Sequence, residues 1–140
     1  MKRAIILAGL VGLIFLTNGC KKDQSSDGLE GVWEIRQAKG MVLINYPAGN
    51  GKLIKFHGDN YEMIENGQVT QSGTFSTMLD GTVNAETCLV ISAGRYERRI
   101  IYSNSLVGSK IFYERTGNKL NFISGCFALD GGVETEYVKQ

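Results

Sequence analysis

The feature of this sequence that most constrains its fold is the alternation of apolar and polar residues in short runs after residue 29. In the first run, Trp33 and Ile35 share one face of the predicted strand. Glu34 and Arg36 share the opposite face. A two-residue period is typical of a β-strand with one buried and one solvated face. No window after residue 20 shows the spacing of an amphipathic helix, so the alternation predicts an all-β domain.

Runs of this kind recur along the chain, separated by glycine, asparagine and aspartate residues. These residue types accept the positive φ angles that tight turns require. The strongest hairpin signal is Asn66-Gly67, because a type I′ turn needs positive φ at two successive positions. The predicted strands are Val32–Ala38, Met41–Ile44, Lys52–His57, Tyr61–Glu65, Val69–Thr77, Thr87–Ser92, Arg98–Tyr102, Lys110–Glu114, Lys119–Ser124 and Val133–Lys139. Many short strands at near-regular spacing predict a meander that closes into a barrel, or a sandwich.

The first residues carry the marks of an export signal. Lys2 and Arg3 make a positive start, and an uncharged apolar run extends from Ala4 to Leu16. As a helix this run is about 20 Å long. A bilayer core is about 30 Å thick, so the run suits a signal peptide better than a membrane span.

Gly19 and Cys20, directly after that run, resemble the lipobox of bacterial lipoproteins, with Thr17 where the pattern usually has Leu. The resemblance implies cleavage before Cys20 and attachment of acyl chains, such as palmitate, to that cysteine. Several chains, at about 0.8 kcal/mol per buried methylene, make a stable anchor. The residue after the lipid cysteine is Lys21, whereas an aspartate at this position would resemble an inner-membrane retention signal. We therefore expect an outer-membrane location, with the domain facing either the periplasm or the cell surface. The predicted organisation is a signal peptide over 1–19, a lipidated polar tether over 20–28 and a folded domain over 29–140.

The start of the folded domain resembles a known family. Gly31 and Trp33 look like the G-x-W opening of lipocalins and of the lipocalin-like domains of Bacteroidetes lipoproteins, and the stretches 52–76 and 136–139 are similar to later strands of that family. The resemblance implies a small antiparallel up-and-down β-barrel of about 8 to 10 strands, preceded by the signal-peptide helix. It also implies that Trp33 plugs the barrel floor and that Lys139 lies over its ring, a cation–π contact worth about 0.5–2 kcal/mol.

The barrel interior is the candidate binding site. An eight-stranded barrel either fills its interior with side chains or holds one small ligand. The residues expected to point inward, and so to line any cavity, are Ile54, Phe56, Tyr61, Met63, Phe75, Tyr102 and Phe122. As a cavity they would accept an apolar or aromatic ligand, and as a packed core they would accept none.

Cys88 and Cys126 remain once Cys20 carries lipid. An exported protein sits in an oxidising compartment, where an even pair of cysteines is typical of a disulfide. Such a bridge would contribute roughly 4 kcal/mol on the chain-entropy model. Two buried free thiols are the alternative, and zinc binding is not expected because two cysteines lack the further ligands that zinc needs.

The remaining residues give little support for catalysis. His57 is the only histidine, and it lies on the polar side of its strand beside a turn. Glu134 and Glu136 share a strand face and resemble paired carboxylates, but exposed strand charges are much the commoner explanation. A basic and aromatic cluster, of interest for an anion or a partner, comprises Arg95, Tyr96, Arg98, Arg99 and Tyr102. We therefore expect neither an enzyme nor a resident metal or cofactor.

The expected function is binding at a membrane. The sequence predicts a membrane-anchored lipoprotein whose barrel binds a small hydrophobic ligand or an envelope protein. The alternative is an interaction protein, such as an inhibitor or accessory subunit, with a packed barrel and no small ligand. With 15 basic and 14 acidic residues and no clustered basic face, nucleic acid is not an expected partner. We expect a monomer.

Overall fold

The structure, a computed structural model, describes residues 28–105 and 108–140. The predicted signal-peptide helix, the predicted lipidation site Cys20 and nearly all of the predicted tether lie outside the described residues. The elements are β1 (Gly31–Lys39), β2 (Leu43–Asn45), β3 (Lys52–His57), β4 (Asn60–Glu65), β5 (Gln68–Leu79), α1 (Val83–Thr87), β6 (Arg98–Tyr102), β7 (Ile111–Thr116), β8 (Lys119–Ser124), a 3₁₀ turn (Phe127–Leu129) and β9 (Val133–Lys139).

The strands form one antiparallel sheet in the order β2-β1-β3-β4-β5-β6-β7-β8-β9. β1 also pairs with β9 along most of its length, which closes the sheet on itself. The short β2 pairs with the second half of β1, over residues 37–39, whereas β3 pairs with the first half. The result is a closed eight-stranded up-and-down barrel with β2 as an addition, which confirms the predicted fold class.

The two ends of the barrel differ. The closed end carries Leu29, the β3–β4 turn at residues 58–59 and the β7–β8 turn at residues 117–118. The other end, called here the mouth, carries the β1–β2 turn, the β4–β5 turn and the β8–β9 connection. At the β4–β5 turn, Asn66 has φ 52° and Gly67 has φ 78°, as the Asn-Gly pair predicted.

Aromatic side chains fill most of the barrel interior. Tyr61 and Tyr102 have ring centroids 4.5 Å apart, and Phe56 and Phe75 have centroids 4.9 Å apart in an edge-to-face arrangement. Rings at such distances and tilts attract each other beyond the gain from burial alone. The buried interior comprises Leu29, Trp33, Ile54, Phe56, Tyr61, Phe75, Ile100, Tyr102, Tyr113, Leu120 and Phe122. The lower and middle parts of the barrel are therefore a packed core.

The predicted strand Thr87–Ser92 is wrong. This segment comprises the end of α1 and an irregular stretch that follows it. Its β-branched residues gave it the composition of a strand, but Val83 and Thr87 lie one helical turn apart and are both buried. Cys88 then adopts a left-handed φ of 57°, which ends the helix.

The segment 80–97 packs on the outside of the barrel as a second layer. Val83 and Tyr96 cover Phe112 of β7 and Ile123 of β8, whose side chains face away from the barrel interior. This layer makes a second apolar core that the alternation of the strands alone does not reveal.

A disulfide holds the outer layer to the barrel. Cys88 follows α1 and Cys126 begins the β8–β9 connection, and their Cα atoms are 5.0 Å apart. The pairing predicted from the compartment and the even number of cysteines is confirmed.

Candidate functional site

The candidate site is a cavity of about 200 Å³ at the mouth of the barrel. Most of the lining residues have aliphatic or aromatic side chains, and polar groups such as those of Lys52, Glu65 and Thr70 also contribute to its surface. Its lining comprises Ile35, Tyr46, Lys52, Leu53, Ile54, Met63, Ile64, Glu65, Thr70 and Tyr137. Alternation along the adjacent strands β3 and β4 turns both Ile54 and Met63 inward, where they are cross-strand neighbours in register.

Only part of the predicted lining contributes to this cavity. Of the seven residues expected to point inward, Ile54 and Met63 line it. The other five lie in the packed core beneath it, namely Phe56, Tyr61, Phe75, Tyr102 and Phe122. The aromatic contacts between their rings close the interior below the mouth, so the site is a shallow cup and not a deep calyx.

The rim charges of the cavity neutralise one another. Lys52 Nζ lies 3.1 Å from Glu65 Oε1 across the β3–β4 pair. At the wall, burial raises the pKa of Tyr137, with a smaller contribution from Tyr46, so the phenol stays neutral at physiological pH. With Lys52 and Glu65 paired and the phenol neutral, the cavity favours an uncharged guest.

At the closed end, the chain encloses Trp33 completely. Its indole N–H donates a hydrogen bond to the carbonyl of Leu29 at 2.6 Å. Lys139 Nζ lies 5.5 Å from the ring centroid, the position predicted for it, and the Arg115 guanidinium lies 5.8 Å away. Gly31 has φ +123°, and a Cβ there would lie 2.8 Å from Lys139 Cε. The glycine of the G-x-W motif thus leaves room for the basic side chain that lies over the indole.

Arg115 was not identified from the sequence. It belongs to the end of β7, where an exposed basic residue before a Gly-Asn turn is unremarkable. Its guanidinium Nε also donates to the carbonyl of Gly117 at 3.1 Å, which orients the side chain toward the floor. Trp33 therefore lies close to two cations, and only the β1–β9 closure and the β7–β8 turn together bring them there.

Glu34 is buried, contrary to the prediction from the strand alternation. The alternation assigned it to the solvated face, but only 2% of its surface is exposed. The segment 46–51 folds over it, and the carboxylate accepts hydrogen bonds from the N–H groups of Gly49 at 3.2 Å and Gly51 at 3.4 Å. Arg36 forms an ion pair with it. Glu34 thereby holds the segment that leads from Tyr46, at the cavity, to β3.

We expect this contact to make stability depend on pH. Burial acts to raise the pKa of Glu34, but the N–H donors of Gly49 and Gly51 and the Arg36 guanidinium lower it on balance below the ordinary value of 4.5. A lowered native pKa means that the ionised group stabilises the fold above about pH 4.5, and that this contribution is lost as the pH falls through the native pKa. Glu34→Gln should therefore lower the Tm at pH 7, and the difference from the parent should narrow below pH 4.5.

Thermal unfolding of both proteins between pH 7 and pH 3 measures this difference. Other carboxylates, such as Asp80, titrate in both proteins and cancel in the comparison. A difference in Tm that stays constant or widens toward pH 3 would show that the ionised form of Glu34 does not stabilise the fold.

Residues of the predicted basic and aromatic cluster are engaged by separate acidic partners. Arg95 pairs with Glu114 at 2.7 Å, and the hydroxyl of the buried Tyr96 donates to Glu134 at 2.9 Å. Glu136 binds Lys119 at 3.0 Å, so the two glutamates of β9 serve separate partners. His57 is exposed and lies 2.8 Å from Glu30 at the closed end. Among the described residues, no group of three or more His, Cys, Asp or Glu side chains is placed to hold a metal ion.

A second, larger depression of about 380 Å³ lies beside β6 and includes Tyr102. Its two cations are already paired, because Arg99 lies 3.3 Å from Asp80, and Lys110 lies 3.2 Å from both Asp80 and Glu86. The acids leave no excess positive charge for an anion, so this depression does not supply the anion site considered for the basic and aromatic cluster.

Within the described ranges, none of the helices has the length and apolar character to cross a bilayer. Comparison with known proteins finds no match among family models, curated proteins or solved structures. A function for the barrel therefore has to be inferred from its sequence and geometry.

Proposed function

We propose that this protein is a membrane-tethered, lipocalin-like barrel that holds a small apolar group in its mouth. The observation that carries the proposal is the cavity of about 200 Å³ above a closed aromatic core. Burial of apolar surface supplies the affinity for such a guest, and the few polar atoms at the rim supply orientation.

The size of the cavity limits the ligand. Sites for drug-sized molecules usually occupy about 300–1,000 Å³. An apolar cavity of about 150 Å³ holds a benzene ring. The mouth cavity therefore suits one ring or a short alkyl chain, either as a whole molecule or as the end of a larger one.

The lipid anchor is the second part of the proposal. Its support is the apolar run and Gly19-Cys20 in the sequence. The described chain starts beside the closed end, at the far side of the barrel from the cavity. A tether attached there leaves the mouth free to receive a ligand.

An interaction protein without a small ligand is the second candidate. The packed aromatic interior favours it, because five of the seven inward residues are buried together in one core cluster. Loops at the mouth would then contact an envelope protein directly. The two candidates differ in whether the mouth cavity takes up an apolar molecule.

Toluene is a suitable probe of the cavity. We expect it to shift the NMR signals of the Ile54 and Met63 methyl groups in a saturable manner, because these methyls line the wall. Met63→Phe fills the space and should weaken toluene binding at least tenfold.

The matched control is Val90→Phe, which adds a ring of the same size at a fully exposed position outside the cavity lining. This variant should bind toluene like the parent. If saturating toluene shifts no mouth signal, or if both variants respond as the parent does, the proposed cavity site is wrong.

A further inference from the structure

One side of the mouth exposes a run of four apolar residues, which we call the apolar tip. It comprises Met41, Val42, Leu43 and Ile44, with exposed fractions of 80%, 66%, 57% and 45%. Exposure falls steadily from the β1–β2 turn toward β2, as expected for a convex finger. None of these side chains belongs to the cavity wall, so the proposed ligand site does not account for them.

The neighbouring β8–β9 connection extends this surface. A Cβ at Gly40 would lie 3.8 Å from the side chain of Val133, so the two loops touch. Val133, the first residue of β9, is 45% exposed, and Leu129, in the connection before it, is 80% exposed. Exposed apolar surface of this kind is uncommon on soluble monomers and marks an interaction site.

We propose that the apolar tip inserts into the lipid bilayer to which Cys20 tethers the domain. The inference rests on the lipid anchor of the proposed function and assigns the tip to a lipid surface. An exposed run of apolar side chains needs no complementary pocket in order to enter the boundary between headgroups and acyl chains.

The length of the tether is compatible with this placement. The segment 21–28, fully extended, spans about 29 Å. The nine residues of β1, which separate the closed end from the tip, span about 30 Å. A barrel lying along the membrane can therefore have its anchor and its tip in the same bilayer. Tethering also raises the effective concentration of the tip at that surface, so a weak intrinsic affinity suffices.

The charges around the tip indicate which lipids it prefers. Lys39 at the end of β1 and Asp130 after Leu129 flank the surface with opposite charges, and Lys39 lies opposite Glu134 in the β1–β9 pair. This balance gives no attraction toward anionic headgroups. Burial of apolar side chains should hold the tip in uncharged lipid, and added salt should not release it.

The test uses the mature chain, residues 20–140, with Cys20→Ser so that no acyl chain contributes. We expect this chain to float with vesicles of phosphatidylcholine, with a partition coefficient that agrees within about twofold between 50 mM and 500 mM NaCl. The double variant Met41→Ser/Leu43→Ser should partition at least tenfold more weakly.

A matched control is available elsewhere on the surface. Leu79 is 67% exposed and Val90 is fully exposed, yet both lie outside the tip. Leu79→Ser/Val90→Ser should partition like the parent, which excludes a general effect of surface hydrophobicity. In Met41→Trp, the fluorescence emission of the new indole should shift to the blue when vesicles are added. Lipids with brominated acyl chains should quench that fluorescence. Equal Tm values among these proteins show that the fold is unchanged.

Three results would overturn the inference: no flotation of the parent, equal loss in both double variants, or a dimer in sedimentation that depends on Met41 and Leu43. The toluene experiment contains no vesicles and so tests the ligand site alone. The mass of the chain extracted from its own membranes tests separately whether Cys20 carries acyl chains. A failure of the tip to bind lipid is thereby distinguishable from a failure of the proposed ligand site or of the anchor.

Discussion

Replacing Trp33 with alanine is expected to lower the free energy of unfolding by about 3–5 kcal/mol, the usual cost of deleting a fully buried indole. Trp33 has no exposed surface, and its N–H satisfies the carbonyl of Leu29 at 2.6 Å. The substitution would leave a cavity at the closed end and a buried carbonyl without its donor. Urea unfolding followed by circular dichroism measures the loss.

Variants of the neighbouring cations separate the packing of the indole from its electrostatics. Lys139→Met and Arg115→Met each retain an aliphatic chain near the ring but remove a cation 5.5 or 5.8 Å from its centroid. Each should cost about 0.5–1 kcal/mol at this exposed position. If the free energy of unfolding of Trp33→Ala lies within about 1 kcal/mol of the parent's value, Trp33 is not the plug of the barrel floor.

Removing the disulfide is expected to cost about 2–5 kcal/mol, the range for native bridges in small exported domains. The suitable variant is Cys88→Ala/Cys126→Ala, which leaves no unpaired thiol in the folded domain to form wrong bridges. The bridge joins the end of α1 to the β8–β9 connection. Its loss should therefore act first on the outer layer formed by residues 80–97.

Hydrogen exchange locates the effect. Amide protection in residues 80–97 should fall further than protection in β3 and β4, which lie away from the second apolar core. Chemical reduction of the unmutated protein should reproduce the pattern. Equal loss of protection throughout the barrel, or no change in stability, would contradict the assignment of the bridge to the outer layer.

The barrel was predictable because alternation records which strand face is buried. Ile54 and Phe56 alternate with Lys55 and His57, and both point into the interior. The alternation failed at Thr87–Ser92, where an outer layer buries residues against a face of the barrel that a strand pattern treats as solvated. Composition cannot distinguish a segment that joins a sheet from one that packs on it, since both bury β-branched residues.

The candidate site was predictable only in part. The inward orientation of Met63 follows from the period of two, but the volume left at the mouth depends on how the rings of Tyr61, Tyr102 and their neighbours pack. Glu34 and Arg115 acquire their roles from contacts distant in sequence, with the segment 46–51 and with Trp33. No local pattern marks such residues, because exposed strand charges have the same sequence context.

Intact-mass spectrometry of the protein extracted from the membranes of its own cells tests the central proposal most directly. We predict a chain that begins at Cys20 and carries the added mass of several acyl chains. In its native state it should also retain a small apolar molecule that is released on unfolding and is absent from Met63→Phe. A chain without acyl mass and without any bound small molecule would contradict the account of a tethered, ligand-binding barrel.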